Sequence, residues 1–423
     1  MKRLFIPTLS AVIVAMLSTS VFASESDNNA DSLRLRLKND FRKAERPSAG
    51  PSGQDIYAWV QGTMVDLDTH YFSDFVGVTG SAYYVYKLGA DGSSSTRGYL
   101  RGYDSFSLTQ GALKFKLNDD LKLKVGRFGT DSGYGSLPYD VPLISSGSNR
   151  TMPTLSEGAL VHYDLNENVE LWGMWRQRVF LWTDVGTGVR DEGVFDSSTG
   201  TYSKKEPRAF LAGSWHDDQN RVDLGYSWQD DVSSQVELKL QRKDSFDDQS
   251  NIRYEFLTLN ASLSGLSKAA SYHNDTQVYS GKITYTNADI SYFGGLGYVS
   301  HVLNGIGTNV NTDIGYVGSL SIDRNKEDMY SLQIGVNYTI NNNFSVMVAP
   351  LMTDGYEDTR RTISIKGKGV VAAVFYKVNS GPLTGLRAFV ASDVANEKRS
   401  GSALGDDLDY WDIKAGIQYD FNL

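Results

Sequence analysis

The stretch GIQYDFNL, residues 416–423, decides how the chain is read. Ile417, Tyr419, Phe421 and Leu423 alternate with Gln418, Asp420 and Asn422, the period-two pattern of a β-strand with one apolar and one polar face. The pattern runs to the last residue with no polar tail, where a domain in water usually frays. A closed barrel pairs its last strand with its first, and it predicts such an ending. On that reading Tyr419, Phe421 and Leu423 form the outer face of the final strand.

The same alternation returns along the chain. Leu33, Leu35 and Leu37 alternate with Arg34, Arg36 and Lys38, and Leu113, Phe115 and Leu117 with Lys114 and Lys116. Leu121, Leu123 and Val125 alternate with Lys122 and Lys124; Val222–Trp228, Val236–Leu240 and Tyr330–Tyr338 repeat the pattern. Each apolar row predicts one face of a strand. The connections alternate too. Short polar turns near Thr69–Asp74, Asn118–Asp120, Asn166–Asn168, Asp217–Asn220, Asn287–Asp289, Asn341–Asn343 and Asn379–Thr384 are separated by longer segments at 43–54, 88–103, 130–154, 180–206, 264–276, 302–327, 354–361 and 399–407. Short turns on one side and long loops on the other are the mark of transmembrane barrels, whose short side is periplasmic. With a short loop near Asp231–Ser234 and a turn within 244–252, the pattern predicts an antiparallel barrel of about eighteen strands. A propeller would show blade repeats of roughly 40–50 residues, and none appear.

Composition agrees. No cysteine is present, so disulfides contribute nothing, and after the first residues no apolar run reaches the roughly 18 residues of a membrane helix. With 41 Gly, 25 Tyr and 18 Phe against 9 Pro, the chain suits many strands with interfacial aromatics. MKRLFIPTLSAVIVAMLSTSVFA, residues 1–23, has a basic start, a short apolar stretch and small residues at its end, which predicts a signal peptide cleaved between Ala23 and Ser24. Residues 24–423 then form one barrel domain. Removing Lys2 and Arg3 from 41 basic residues leaves 39 against 50 acidic, a formal charge of −11. The acidic balance and the lack of a basic stripe argue against nucleic acid as a partner.

If polar rows face a wet interior, several cations share its wall. Arg34, Arg36, Lys38 and Arg42 lie on one face of the first strand, Arg176 and Arg178 on one face of the seventh, and Arg387 and Lys414 on the last two. Such a ladder would attract carboxylates, each Arg adding two-point hydrogen bonding. Acids such as Asp40, Asp412 and Asp420 are available to pair with it. Segment 130–154, TDSGYGSLPYDVPLISSGSNRTMPT, is long, mildly apolar and rich in Gly, Ser and Pro, as expected of a loop folded into the barrel as a constriction. Asp131, Tyr134, Asp140, Asn149 and Arg150 are its candidate lining residues.

Catalytic patterns are absent. His70, His162, His216, His273 and His301 are scattered without H-E-x-x-H spacing, no G-x-S-x-G occurs, and the acidic group Asp244–Asp248 reads as a solvated turn rather than a metal site. No cofactor or metal is called for.

LRLRLKN at 33–39, GALKFKLNDDLKLKVGRF at 111–128 followed by SGSNRTMP at 146–153, AFLAGSWHDDQNRVDLGYSWQDD at 209–231 and GPLTGL at 381–386 together resemble the OprD family of substrate-specific outer-membrane porins. Lys38 takes the basic position of the opening strand and Arg150 that of the loop arginine. The resemblance implies a monomeric or weakly associated eighteen-stranded barrel with a constriction loop, placed in the outer membrane among lipids and lipopolysaccharide by the barrel assembly machinery. Branches of the family carry small carboxylates, basic amino acids or short chitin oligosaccharides. Phe389 and Ala391 stand where the carboxylate branch tends to carry arginine, and Trp172 and Tyr410 offer flat surfaces for sugar rings. The expected function is passive, moderately selective uptake of small solutes; a barrel serving adhesion, or a hydrolase, is the alternative.

Overall fold

A computed structural model describes residues 31–45, 55–90, 105–130, 141–144, 155–180, 190–196, 201–269, 275–302, 315–401 and 407–422. Eighteen barrel strands run through them, besides three short strands within the connection 190–205: β1 Ser32–Glu45, β2 Ile56–Asp68, β3 Val76–Ala90, β4 Ser105–Lys116, β5 Leu121–Gly129, β6 Leu155–Asn166, β7 Val169–Phe180, β8 Arg208–His216 and β9 Asn220–Gln229, then β10 Ser233–Ser245, β11 Ser250–Leu263, β12 Asp275–Asn287, β13 Ile290–Val299, β14 Glu327–Thr339, β15 Phe344–Tyr356, β16 Ser364–Lys377, β17 Arg387–Ser400 and β18 Asp407–Asn422. Each pairs antiparallel with the next, and β18 returns to β1 with Asp420 opposite Arg36 and Lys414 opposite Arg42, which closes the sheet. Closure removes the open edges that neither lipid nor water would leave unpaired.

The predicted turns are where the strands reverse. Asn118 Oδ1 accepts from the backbone N–H of Asp120 and Leu121, and Asn341 Oδ1 from those of Asn343 and Phe344. Asp217 and Asp247 do the same for Gln219–Asn220 and Gln249–Ser250. These side chains satisfy amides that the ladder releases, which is why Asn and Asp punctuate this side. The Asn220 side chain, then the two backbone donors, hold the Asp217 carboxyl below its usual range; the Ser250 side chain and neighbouring amides do so for Asp247. The other side carries the long connections, apart from the tight β9–β10 reversal where Asp231 takes a left-handed φ of 56°.

Period two sorts the side chains. Leu224, Ile283, Leu296, Leu332, Val348, Val374, Val390 and Ile417 stand exposed on the outer face, and Trp59, Tyr84, Trp175, Trp228, Tyr285, Tyr292, Tyr338 and Phe344 flank them. An apolar band between aromatic girdles fits a bilayer, and would be an aggregating surface in water. The rule of polar rows inside has exceptions where loops or neighbouring side chains cover the wall. Along β2 and β3 the inward row is itself apolar, with Ile56, Ala58, Val60, Met64, Tyr83 and Val85 packed together with Leu155 and Phe180. Val60, Met64 and Tyr83 are fully buried, so this stretch of wall is covered on its inner side.

Candidate functional site

The lumen wall formed by β16, β17, β18 and β1 surrounds a cavity of about 680 Å³ at the short-turn end. Lys38, Lys377, Arg387 and Lys414 project to it, against Asp40 as the single lining acid among the described residues. Alternation on neighbouring strands brings them together, because Arg387 lies opposite Gln418, Gln418 opposite Lys38, and Lys414 opposite both Arg42 and Ala391. Lys414 Nζ stands 5.8 Å from the Phe389 ring centre, giving the cavity a cation beside an aromatic face. Lys377 was not singled out from the sequence, yet it sits directly opposite Arg387.

Further along the wall the cations are paired. Arg34 meets Asp66 at 3.1 Å, Arg36 meets Asp420 at 2.5 Å, and Lys38 lies 3.9 Å from Asp40. Asp420 also receives Arg387 at 3.4 Å. Arg42 grips Asp412 through Nε and Nη2, the shortest contact being 2.5 Å, and donates from Nη2 to the Leu320 carbonyl at 3.3 Å. The first strand therefore presents ion pairs rather than bare charge. Lys114, Lys116 and Lys122 extend the same pattern on β4 and β5, pairing with Asp68, with Asp74 and Asp119, and with Asp164. Their alternation with Leu113, Phe115, Leu121 and Leu123 is the same signal that marked Arg34, Arg36 and Lys38.

The two arginines of β7 part company. The β6–β7 register slips between Glu157 and Gly158, so Arg176 faces Gly158 and Arg178 faces Glu157. Arg176 points inward and is 1% exposed, held by Glu192 at 2.5 Å. Arg178 instead lies on the outer row, where it shares Glu157 with Arg127. The expectation that Arg176 and Arg178 share the lumen face is thus corrected: one extra residue at a bulge moves a side chain to the other face. Gly158 permits the slip, because a Cβ there would stand 1.9 Å from the Trp175 carbonyl oxygen. Arg176 is also withdrawn from any solute, since Glu192 belongs to the β7–β8 connection folded inward over it. Gln229 Nε2 reaches Glu192 at 3.4 Å and its Oε1 accepts from the buried Arg208 at 2.6 Å.

Two further segments enter the barrel. Val141, Leu143 and Ile144 are buried against inward-facing Phe128, Leu160, Trp172, Met174 and Phe210, so this part of the predicted constriction loop is folded inside. The backbone at Pro142 lies so close to β9 that a Cβ on Gly225 would stand 2.6 Å from the Pro142 carbonyl oxygen. Asp131, Tyr134, Asp140, Asn149 and Arg150 lie outside the described residues. The second segment, 315–322, was not anticipated. Its Tyr316 N–H donates to Ser280 Oγ, Gly318 exchanges two bonds with the Gln333 amide, and the Asp393 carboxylate accepts from Ser319 Oγ, the N–H groups of Leu320 and Ser321, and Ser321 Oγ. With Arg42 on the Leu320 carbonyl, it links β12 and β14 to β17 and β1, a chord across the interior. Leu320 borders the basic cavity from above. Trp172 and Tyr410 are buried, at 2% and 6% exposure, and present no open ring face to the lumen.

An even, closed barrel with an apolar outer belt, short turns on one side, and loops folded into a charged lumen is a transmembrane β-barrel. No family model matches the chain. Crystal structures of Pseudomonas aeruginosa OccK9 (OpdG) and Acinetobacter baumannii OccAB4 share this fold, each with a TM-score of 0.74 over 94% of this chain and 100% of that one, at 17% and 12% identity. Pseudomonas aeruginosa OpdK, in a structure with vanillate, gives a TM-score of 0.72 at 17% identity, over 93% of this chain and 99% of that one. The likeness in fold is the one the OprD-family resemblance implies. In sequence the chain is 49% identical over its whole length to the membrane-associated protein UidC of Escherichia coli, again covering all of it, and it belongs to that protein's family.

Proposed function

We propose that the chain forms a water-filled, moderately selective channel in the outer membrane of a Gram-negative bacterium, through which small solutes diffuse without chemical change. The observation that carries this is the cavity at the short-turn end, where Lys38, Lys377, Arg387 and Lys414 converge on one lining acid among the described residues, with Arg387 also meeting Asp420. A wall of one sign inside a low-dielectric barrel concentrates counter-ions, and lining hydrogen-bond groups and width set the rest of the selectivity. Small carboxylates are the favoured solutes, with Arg387 and the ammonium groups of Lys38, Lys377 and Lys414 as the receiving groups. Short oligosaccharides are less well served, because Trp172 and Tyr410 are buried. Residues 1–23 act as a cleaved leader, the assembly machinery inserts the barrel among lipids and lipopolysaccharide, and the working unit is a monomer or a weak homo-oligomer. An adhesive role would place the work in the outer loops and leave the pore silent.

The test is conductance of the purified full-length barrel in planar bilayers, with reversal potential under a salt gradient and with added acetate or succinate. Anion preference and block by the carboxylate support the reading. A silent bilayer would refute the channel, and cation preference would refute the role of the basic cavity.

A further inference from the structure

His162 and Asp164 on β6 and Glu170 on β7 converge on one point of the inner wall near the β6–β7 turn, apart from the basic cavity. Their donor atoms all lie within 4.8 Å of one another. His162 Nε2 is 3.0 Å from Asp164 and 3.7 Å from Glu170. The imidazole lies flat on the Trp172 indole, with ring centres 5.0 Å apart and planes 11° from parallel, which fixes the direction in which Nε2 points. That nitrogen is buried and has no hydrogen bond of acceptable geometry despite the two acids beside it. Asp164 and Glu170 are also directly opposite in register, an arrangement in which like charges destabilise the sheet. Lys122 offsets part of this at 3.6 Å from Asp164.

We propose that His162, Asp164 and Glu170 form a binding site for a divalent transition-metal ion in the lumen wall. One such ion answers each of these features together. It uses the Nε2 lone pair, satisfies both carboxylates and removes their mutual repulsion. Imidazole with two carboxylates suits zinc or nickel better than magnesium or calcium, which take oxygen alone. With bonds of about 2.0–2.2 Å in a tetrahedral array, two donors on one zinc lie about 3.3–3.6 Å apart. The two His162 distances, 3.0 and 3.7 Å, bracket this separation, and side-chain rotation of Asp164 and Glu170 adjusts the rest. Water in the lumen supplies the fourth position. The ammonium of Lys122 gives way, because its contact with Asp164 is long.

Titration of the untagged, folded full-length barrel in detergent with zinc chloride by calorimetry tests the site, with nickel quenching of tryptophan fluorescence as a second readout. Saturable binding of one zinc per chain, weakened at least tenfold in both His162→Ala and the isosteric Glu170→Gln, and unaffected by excess magnesium, is expected. Trp172→Phe should keep zinc binding while removing most of the nickel quenching, since that indole stacks on the ligand. No saturable binding in the parent protein would overturn the proposal. So would binding that both variants leave intact, which places the ion elsewhere, or equal competition by magnesium.

Discussion

Replacing Asp393 with Ala should release one end of the segment that crosses the lumen. The carboxylate accepts four hydrogen bonds from residues 319–321, at 2.6 Å from Ser319 Oγ, 2.7 Å from Leu320 N and 3.0 Å from Ser321 N, with Ser321 Oγ as the fourth. Hydrogen bonds to a charged group are each worth about 1.5–3 kcal/mol, and they do not add fully. Crediting the four together with only about 3 kcal/mol gives a loss of more than a hundredfold in the docked population. Tyr316 on Ser280 and Gly318 on Gln333 remain, so the chain should swing about those anchors rather than leave altogether. Leu320 would then no longer border the basic cavity, and Arg42 would lose its carbonyl acceptor while keeping Asp412. Single-channel recordings in planar bilayers should show a larger and noisier conductance. Adding Gln333→Ala should increase both effects. Conductance and noise equal to the parent in a folded Asp393→Ala barrel would refute the idea that this segment narrows the path.

Reversing charge in the basic cavity, by Lys414→Glu with Arg387→Glu, should move the reversal potential toward cation preference and abolish carboxylate block. Glu192→Gln leaves Arg176 buried without its counter-charge, which should cost about 3–5 kcal/mol in urea unfolding from lipid vesicles. Leu332→Arg, on the outer face midway along β14, should cost about 2–4 kcal/mol in the same assay. The Asp217 and Asp247 carboxyls are held low in the folded chain, so their turn stabilisation is complete above the unfolded carboxyl value of about 3.9 and is lost as pH falls through the lower folded value. Hydrogen exchange of the Gln219, Asn220, Gln249 and Ser250 amides, corrected for intrinsic rates, should therefore keep its protection from neutrality down to about pH 4. It should lose protection only below that.

Much of the barrel was open to reading because its rules are local. An Asn or Asp that caps its own turn marks a reversal wherever it stands, as Asn118, Asp217, Asp247 and Asn341 do. Alternation likewise placed Arg34, Arg36, Lys38, Arg42, Arg387 and Lys414 on inward rows without any knowledge of neighbours. Arg178 escaped this reasoning because the slip beside Gly158 is a property of the β6–β7 pair, not of either strand alone. The inward apolar row of β2 escaped it for a related reason. A strand covered on both sides has no polar face, and Ile56, Val60 and Met64 carry no mark of which side meets lipid.

The sequence by itself determined the class of fold, an approximate strand number and the reversal points, since each follows from side-chain period and turn chemistry within a few residues. Tertiary structure alone decided which of those charges are spent. Asp412 and Asp420 are far along the chain from Arg42 and Arg36, which only barrel closure brings to them, and Glu192 reaches Arg176 only because its connection folds inward. The same closure gathers Lys38, Lys377, Arg387 and Lys414 around one cavity and lays residues 315–322 across its roof. Coulomb attraction and hydrogen bonding act over a few ångströms, so which cations remain available to a solute depends on neighbours in space that the order of residues does not reveal.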